Sequence, residues 1–275
     1  MSTPSPSPCP SKPNQNALPD VQGLSDARRI AINKVGVKEI RYPIALATPT
    51  GDVLNTVADV NMYVSLPADR KGTHMSRFLE VLNEYAEGIQ PDRIIELCRT
   101  LRDRLDAESA HVEMEFTYFI RKSAPITGKP GLMDYKVRFL CEANGSDDLI
   151  MSVTAPATSL CPCSKEISKY GAHNQRCLIT ADVRFKDLVW IEDLAAIIER
   201  AASCEVYSVL KRPDEKHVTE AAFENPKFVE DIVRDLALAL NNEERIQWYR
   251  IRSENFESIH SHNAYAEITH DKRDA

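Results

Sequence analysis

Leu160-Cys-Pro-Cys-Ser-Lys-Glu-Ile-Ser-Lys-Tyr170-Gly-Ala-His-Asn-Gln-Arg176 is the stretch around which the chain is organised. Two thiols, Cys161 and Cys163, flank a proline, and His173 follows within the same segment. Thiolate and imidazole are the donors that a zinc-like divalent ion selects. Ser164, Lys165 and Arg176 add the hydroxyl and cationic groups that a phosphate-bearing substrate requires. Both chemistries in one short stretch point to a reactive site rather than to a staple that holds the fold.

Outward from this stretch, the composition sets the limits. The chain has 275 residues, 43% of them hydrophobic, enough to bury one large core or two smaller ones. A net charge of -7 argues against a nucleic-acid binder, which normally presents a basic face. It does not argue against a local cationic pocket for a nucleotide. Seven cysteines fall without the spacing of a disulfide framework. Residues 1 to 20 carry no apolar run of the signal-peptide kind, and no stretch reaches the roughly 18 apolar residues that span a bilayer. The expectation is a cytoplasmic protein with reduced thiols and no membrane partner.

Residues 1–25, with Pro4, Pro6, Pro8, Pro10, Pro13 and Pro19 among Ser and Asn, read as a disordered tail, because they bury too little to offset ordering entropy. Order is expected from near Val35. Period-two alternation predicts strands over 58–66, 110–120, 133–142, 149–155, 176–185, 246–256 and 264–268. Helical spacing predicts helices over 75–85, 91–105, 191–203 and 226–240, with a short helical stretch through Val206 and Leu210. Pro91 suits a first helical turn, where its missing N–H costs nothing. The order strands, helices, strands occurs twice. This is an α+β arrangement of antiparallel sheets backed by helices.

Cys161-Pro-Cys-Ser-Lys-Glu-Ile167 and Tyr170-Gly-Ala-His-Asn-Gln-Arg176 resemble the prokaryotic type IB GTP cyclohydrolase I family. Further matches are Gly72-Thr-His-Met-Ser-Arg-Phe78, Arg212-Pro-Asp-Glu-Lys-His-Val-Thr-Glu220, Asn225-Pro-Lys-Phe-Val-Glu-Asp231 and Ser258-Ile-His-Ser-His-Asn-Ala-Tyr-Ala266. The resemblance spans about residues 30–270. It implies tandem tunnelling-fold (T-fold) units, one in 26–150 and one in 151–275, the second carrying most of the site. It also implies assembly into barrels, with sites at subunit interfaces and a homotetramer as the expected form. The implied reaction takes GTP and water to 7,8-dihydroneopterin triphosphate and formate, the first step of tetrahydrofolate biosynthesis.

Attack of water on guanine C8 calls for a divalent ion that lowers the water's pKa. Such a catalytic site keeps three protein ligands and one open position. The residues themselves leave open which cysteine binds the metal; the resemblance puts Cys161 and His173 on it, with Glu215 as the distant third ligand. The ion itself, Zn, Mn or Fe(II), stays open for this donor set. Cys163 lies close enough to act in proton transfer or to hold the substrate. His260 and His262 stand two apart and share a face if extended. The resemblance makes His260 the general acid/base, with Glu257 as a carboxylate beside it, and puts the bidentate purine anchor on Glu230. Triphosphate candidates are Lys71, His74, Ser76 and Arg77 in the first half and Ser164, Lys165 and Arg176 in the second; no Walker or GxGxxG loop is present.

Other readings are a nitrile reductase of the same fold, an archaeal-type cyclohydrolase making a cyclic phosphate, and a non-enzymatic metal-binding assembly module. The Cys161–His173 spacing and Glu215 weigh against the first. Product identity separates the second, and four saturating ligands without GTP turnover would mark the third.

Overall fold

The computed structural model describes residues 20–274. Most of the expected tail lies outside these residues, but 20–25 are held in place. Gly72 N–H donates to the Gln22 carbonyl (3.2 Å), Lys71 N–H to that of Leu24 (3.0 Å), and Asp26 N–H to that of Asp69 (2.9 Å). Order therefore begins well before Val35.

Two long strands open the fold, β1 (Ile32–Ala47) and β2 (Val53–Leu66), followed by helices α1 (Met75–Tyr85) and α2 (Pro91–Arg104). Next come β3 (Ala110–Ser123), β4 (Pro130–Ala143) and β5 (Asp147–Leu160). The remainder is α3 (Pro162–Ile167), β6 (Asn174–Phe185), α4 (Ile191–Arg200), β7 (Cys204–Glu205), α5 (Arg212–Glu224), α6 (Val229–Asn242), β8 (Ile246–Asn255) and β9 (Ala264–Asp271). The strands form one antiparallel sheet in the order β1-β2-β3-β4-β5-β6-β8-β9, with the short β7 against β5. The scheme strands, helices, strands appears twice, and the β4–β5 pairing makes the sheet continuous across the join. The expected division at 150/151 falls within β5.

One face of the sheet is apolar and covered. Val60, Met62, Val112, Met114, Val153, Ile179 and Ile251 share a core with Phe78, Leu82, Leu97, Leu194, Ile198 and Leu236 of the helices. The other face alternates in register and is polar. Asp59 stands opposite Glu115, Glu115 opposite Arg138, and Asp182 opposite Arg250. Asp182, fully buried, accepts from Arg250 Nη2 (2.7 Å) and Arg252 Nη2 (3.0 Å). A buried carboxylate persists because it is paired and hydrogen-bonded.

The periodicity does not predict helices α3 and α5, and three further readings differ. β1 does not show as a strand in the sequence because Lys38-Glu39 form a bulge between Val37 and Ile40, which breaks the alternation, and because Pro43 interrupts it. The stretch through Val206 and Leu210 is not helical. Cys204–Glu205 pair with Ala157–Thr158 instead, and the helix starts only at Arg212. His260 and His262 lie in the β8–β9 loop, not on a strand; their rings still stack, with centroids 5.2 Å apart. No described helix is long and apolar enough to cross a membrane.

Leu97 of α2 has no exposed surface and packs into the shared core. Leu97→Ala is expected to lower the unfolding free energy by about 2–5 kcal/mol, through lost transfer energy and the cavity left behind. Denaturant midpoints measured with an unchanged slope check this.

Candidate active site

The end of β5 and the start of β6 build the site. Register pairs Leu160 with Asn174, and one step further Cys161 N–H donates to the His173 carbonyl at 3.1 Å. Pro162 then ends the strand and opens α3, occupying a first-turn position that needs no N–H. Cys161 becomes the N-cap of that turn, its Sγ accepting from Ser164 N–H (3.4 Å). Ser164 Oγ donates to the Cys161 carbonyl (3.1 Å) and accepts from His173 N–H (3.2 Å). The two expected ligands are thus tied together through backbone and hydroxyl. Cys161 is half-buried and Cys163 is exposed, so the two thiols of the Cys-Pro-Cys step meet different surroundings.

Sequence reading missed two residues at this point. The His173 ring Nδ1 lies 2.8 Å from Gln175 Oε1 and 3.4 Å from Ser258 Oγ. Gln175 Nε2 in turn donates to Glu257 Oε1 at 3.3 Å. His173 and Gln175 stand two apart at the start of a strand and therefore share a face, the signal from which Gln175 could have been found. Glu257 is accordingly brought to the site by the β8–β9 loop, which also carries the exposed His260.

A buried polar network continues beneath. Asn255 Nδ2 donates to Ser159 Oγ (2.9 Å), which donates to the Lys227 carbonyl (3.0 Å), while Lys227 N–H donates to that of Leu160 (3.0 Å). These bonds hold the entry to α6 against the end of β5. Glu230, exposed in the first turn of α6, is positioned by them, and Asp231 caps the helix by accepting from Phe228 N–H (3.0 Å).

Helix α5 is anchored by Asp214, which is fully buried. Its carboxylate accepts from Ile126 N–H (2.9 Å), Thr127 N–H (2.8 Å), Thr127 Oγ1 (2.7 Å) and Lys211 N–H (2.9 Å). Burial works to raise its pKa, but the Thr127 hydroxyl and the three N–H groups outweigh that and hold it well below the usual carboxylate range. Glu215 follows directly and is exposed. Among the described residues no three His, Cys, Asp or Glu side chains converge as a metal-holding cluster, so Glu215 does not join Cys161 and His173 in this arrangement. The far half of α5 does approach them. Thr219 and Phe223 line a cleft of about 390 Å³ together with Leu160, Tyr170, Gly171 and Asn174. Lys165, expected to hold phosphate, instead donates to the Phe223 carbonyl and lies 4.4 Å from its ring centroid. Arg176 is exposed and its side chain makes no hydrogen bond or ion pair among the described residues.

The first-half candidates lie elsewhere. Arg77 Nη1 reaches the Arg104 carbonyl (3.5 Å), at the end of α2, and His74 Nε2 lies 3.5 Å from Asp20. That places α1's start at the sheet end where Ala110, Ala143 and Asp147 stand in register. Cys161 follows the opposite end of β5, a 14-residue strand roughly 43 Å long. Within one chain Lys71, His74, Ser76 and Arg77 do not meet Cys161.

Asp214 yields a pH prediction. Because its folded pKa is depressed, its stabilisation is present above the unfolded value of about 3.9 and lost as pH falls through the lower folded one. Asp214→Ala is expected to melt several degrees below the parent chain at pH 7. The gap should narrow progressively as pH falls below about 4, where the unfolded carboxylate protonates while the folded one still holds its charge. Thermal melts across pH 2.5–8 check it.

Comparison with known proteins adds to this geometry. A sequence profile described as "Type I GTP cyclohydrolase folE2" matches residues 18–266. The chain is 55% identical over 263 residues to "GTP cyclohydrolase FolE2" of Azoarcus sp. (strain BH72), covering 95% of this chain and 98% of that one. It is 54% identical over 264 residues to the protein of the same description from Methylobacillus flagellatus, covering 94% and 99%. Among solved structures it is similar to a uricase from Arthrobacter globiformis, with a TM-score of 0.55 at 8% identity over 88% of this chain and 94% of that one. A uricase from Bacillus fastidious gives a TM-score of 0.55 at 7% identity, with the same coverage. At such identity the uricases share the tunnelling fold and nothing finer.

Proposed function

The chain belongs to the FolE2 family of type I GTP cyclohydrolases, and from that premise we propose that it hydrolyses GTP to 7,8-dihydroneopterin triphosphate and formate, opening folate synthesis. The observation that carries this reading is the clasp between Cys161 and His173, which holds a thiol and an oriented imidazole side by side, next in sequence to Leu160, Ala172 and Asn174 of the cleft lining. A thiolate and an imidazole nitrogen fit a divalent ion of the Zn, Mn or Fe(II) kind. Such an ion, when bound, lowers the pKa of water to near neutrality. Cys161 and His173 would hold it, and Glu215, which stands apart from them in this arrangement, would have to come in from α5 as the third ligand.

The remaining roles fall to the chain's own side chains. Glu230 at the start of α6 takes the guanine N1–H and N2–H as a bidentate pair. His260 supplies protons to nitrogen and later to the sugar, and Cys163, exposed beside Cys161, is a second candidate for that work. Arg176 and Ser164 serve the triphosphate; Lys165 would have to leave Phe223 to do so. His74, Ser76 and Arg77 can contribute only from a second copy, given their distance along the sheet. This supports sites shared between subunits of a homo-oligomer, for which we favour the tetramer.

Protein stripped by chelator and reloaded separately with Zn, Mn or Fe(II) is expected to release formate and an oxidisable, fluorescent pterin from GTP. Cys161→Ala and Glu215→Ala should each lose more than roughly 100-fold in turnover and lose bound metal as well, since second-shell partners alone are worth about 10–100-fold. A folded, metal-loaded protein that releases no formate would overturn the reading.

A further inference from the structure

Gln175 is 7% exposed, and a buried amide requires partners at both of its ends. Its two neighbours are unlike. Glu257 is a carboxylate, which when ionised can only accept, and it lies 3.3 Å from the Gln175 amide nitrogen. The opposite amide orientation would set a carbonyl oxygen against a carboxylate oxygen, two acceptors with no proton between them. The nitrogen therefore faces Glu257, and the oxygen faces His173 Nδ1 at 2.8 Å. An amide oxygen cannot donate, so the proton sits on Nδ1. In a neutral imidazole the lone pair is then on Nε2.

We propose that Glu257 and Gln175 form a relay of fixed polarity that holds His173 in its Nδ1–H tautomer and presents Nε2 as the donor, which makes both positioning residues. The proposal rests on the reading of His173 as a metal ligand. It gives Glu257 a task other than proton exchange with substrate: its negative charge orients a neutral amide, and the amide orients the ring. Ser258 Oγ, 3.4 Å from the same Nδ1 and next in sequence to Glu257, lets the β8–β9 loop touch the ring directly as well as through the amide. Ring orientation by a partner on the second nitrogen is how ligating histidines are generally held.

The metal-free wild-type protein already discriminates. Long-range 1H–15N spectra at about pH 8.5, with His173 assigned by its loss in His173→Asn, are expected to show the Nδ1–H pattern. An Nε2–H pattern would overturn the proposal without recourse to any variant. Gln175→Met keeps length and removes both polar ends. It should shift His173 toward the other tautomer and weaken Zn binding, measured by competition with a chromophoric chelator, by about 10- to 100-fold. The exchange Q175E/E257Q reverses which partner bears the charge but preserves every donor and acceptor. It should restore the tautomer and most of the Zn affinity, whatever it does to turnover. Gln175→Met with wild-type tautomer and affinity, or a folded exchange variant no better than Gln175→Met, would refute the relay. The tautomer is read without metal or GTP, so failure of the relay and failure of the cyclohydrolase reading give different results.

Discussion

The register of β5 against β6 is the constraint on which the rest of the site depends. It pairs Leu160 with Asn174 and runs one bond past the strands, so that the Cys161 amide meets the His173 carbonyl. A slip of one residue would turn every side chain of β6 to the other face. Gln175 and the buried series Cys177, Ile179, Ala181 and Val183 would then face the polar side, and Asp182 would enter the core. The hydrophobic pattern of β6 therefore protects the chemistry. What keeps Ile179 under the helices also keeps His173 beside Cys161.

Polar groups at this end of the covered face do what apolar packing does elsewhere. Ser159, Gln175, Ser253, Asn255 and Asp214 are buried: Ser253, Asn255 and Ser159 join β8 and β5 to the entry to α6, Gln175 ties β6 to the β8–β9 loop, and Asp214 ties α5 to the turn after β3. A buried polar group left without a partner costs roughly 1–3 kcal/mol, so each bond tolerates few alternatives in geometry. A second cluster lies close by. Lys122, near the end of β3, bridges Glu199 (2.8 Å) and Glu205 (2.6 Å), and Tyr135 donates to Glu199 (2.8 Å). Burial lifts the Glu199 carboxyl above its ordinary range, while the Lys122 ammonium draws it back. β3 and β4 of the first half are in this way fastened to α4 and β7 of the second, alongside the β4–β5 pairing.

The polar face of the sheet has another character. Its charges are matched across strands, with Lys136 Nζ 2.7 Å from Glu115 and both Arg250 and Arg252 on Asp182. A sheet with one apolar and one charged face satisfies the first with its own helices and leaves the second polar. The helices in turn sit between the strand pairs of each half. The start of α1 therefore falls at one end of the sheet, and α3 and the entry to α6 fall at the other.

The sequence was sufficient for the elements whose burial alternates locally. β3, β4, β6, β8 and β9, and helices α1, α2, α4 and α6, carry their face in periods of two or 3.6 residues, which a short window reveals. The pairing of Cys161 with His173 was legible too, because both lie within one motif. Tertiary structure decided what depends on distant partners. β1 tolerates its bulge because β2 pairs with it on both sides of Lys38-Glu39. β7 is a strand because Thr158 offers it an edge, and α3 and α5 bury too few side chains to show a period. The same holds for Asp214 on the 126–127 turn, Gln175 between a histidine and a carboxylate, and the separation of His74 from Cys161. Those are distances through space between segments far apart along the chain, and no local pattern of residues encodes them.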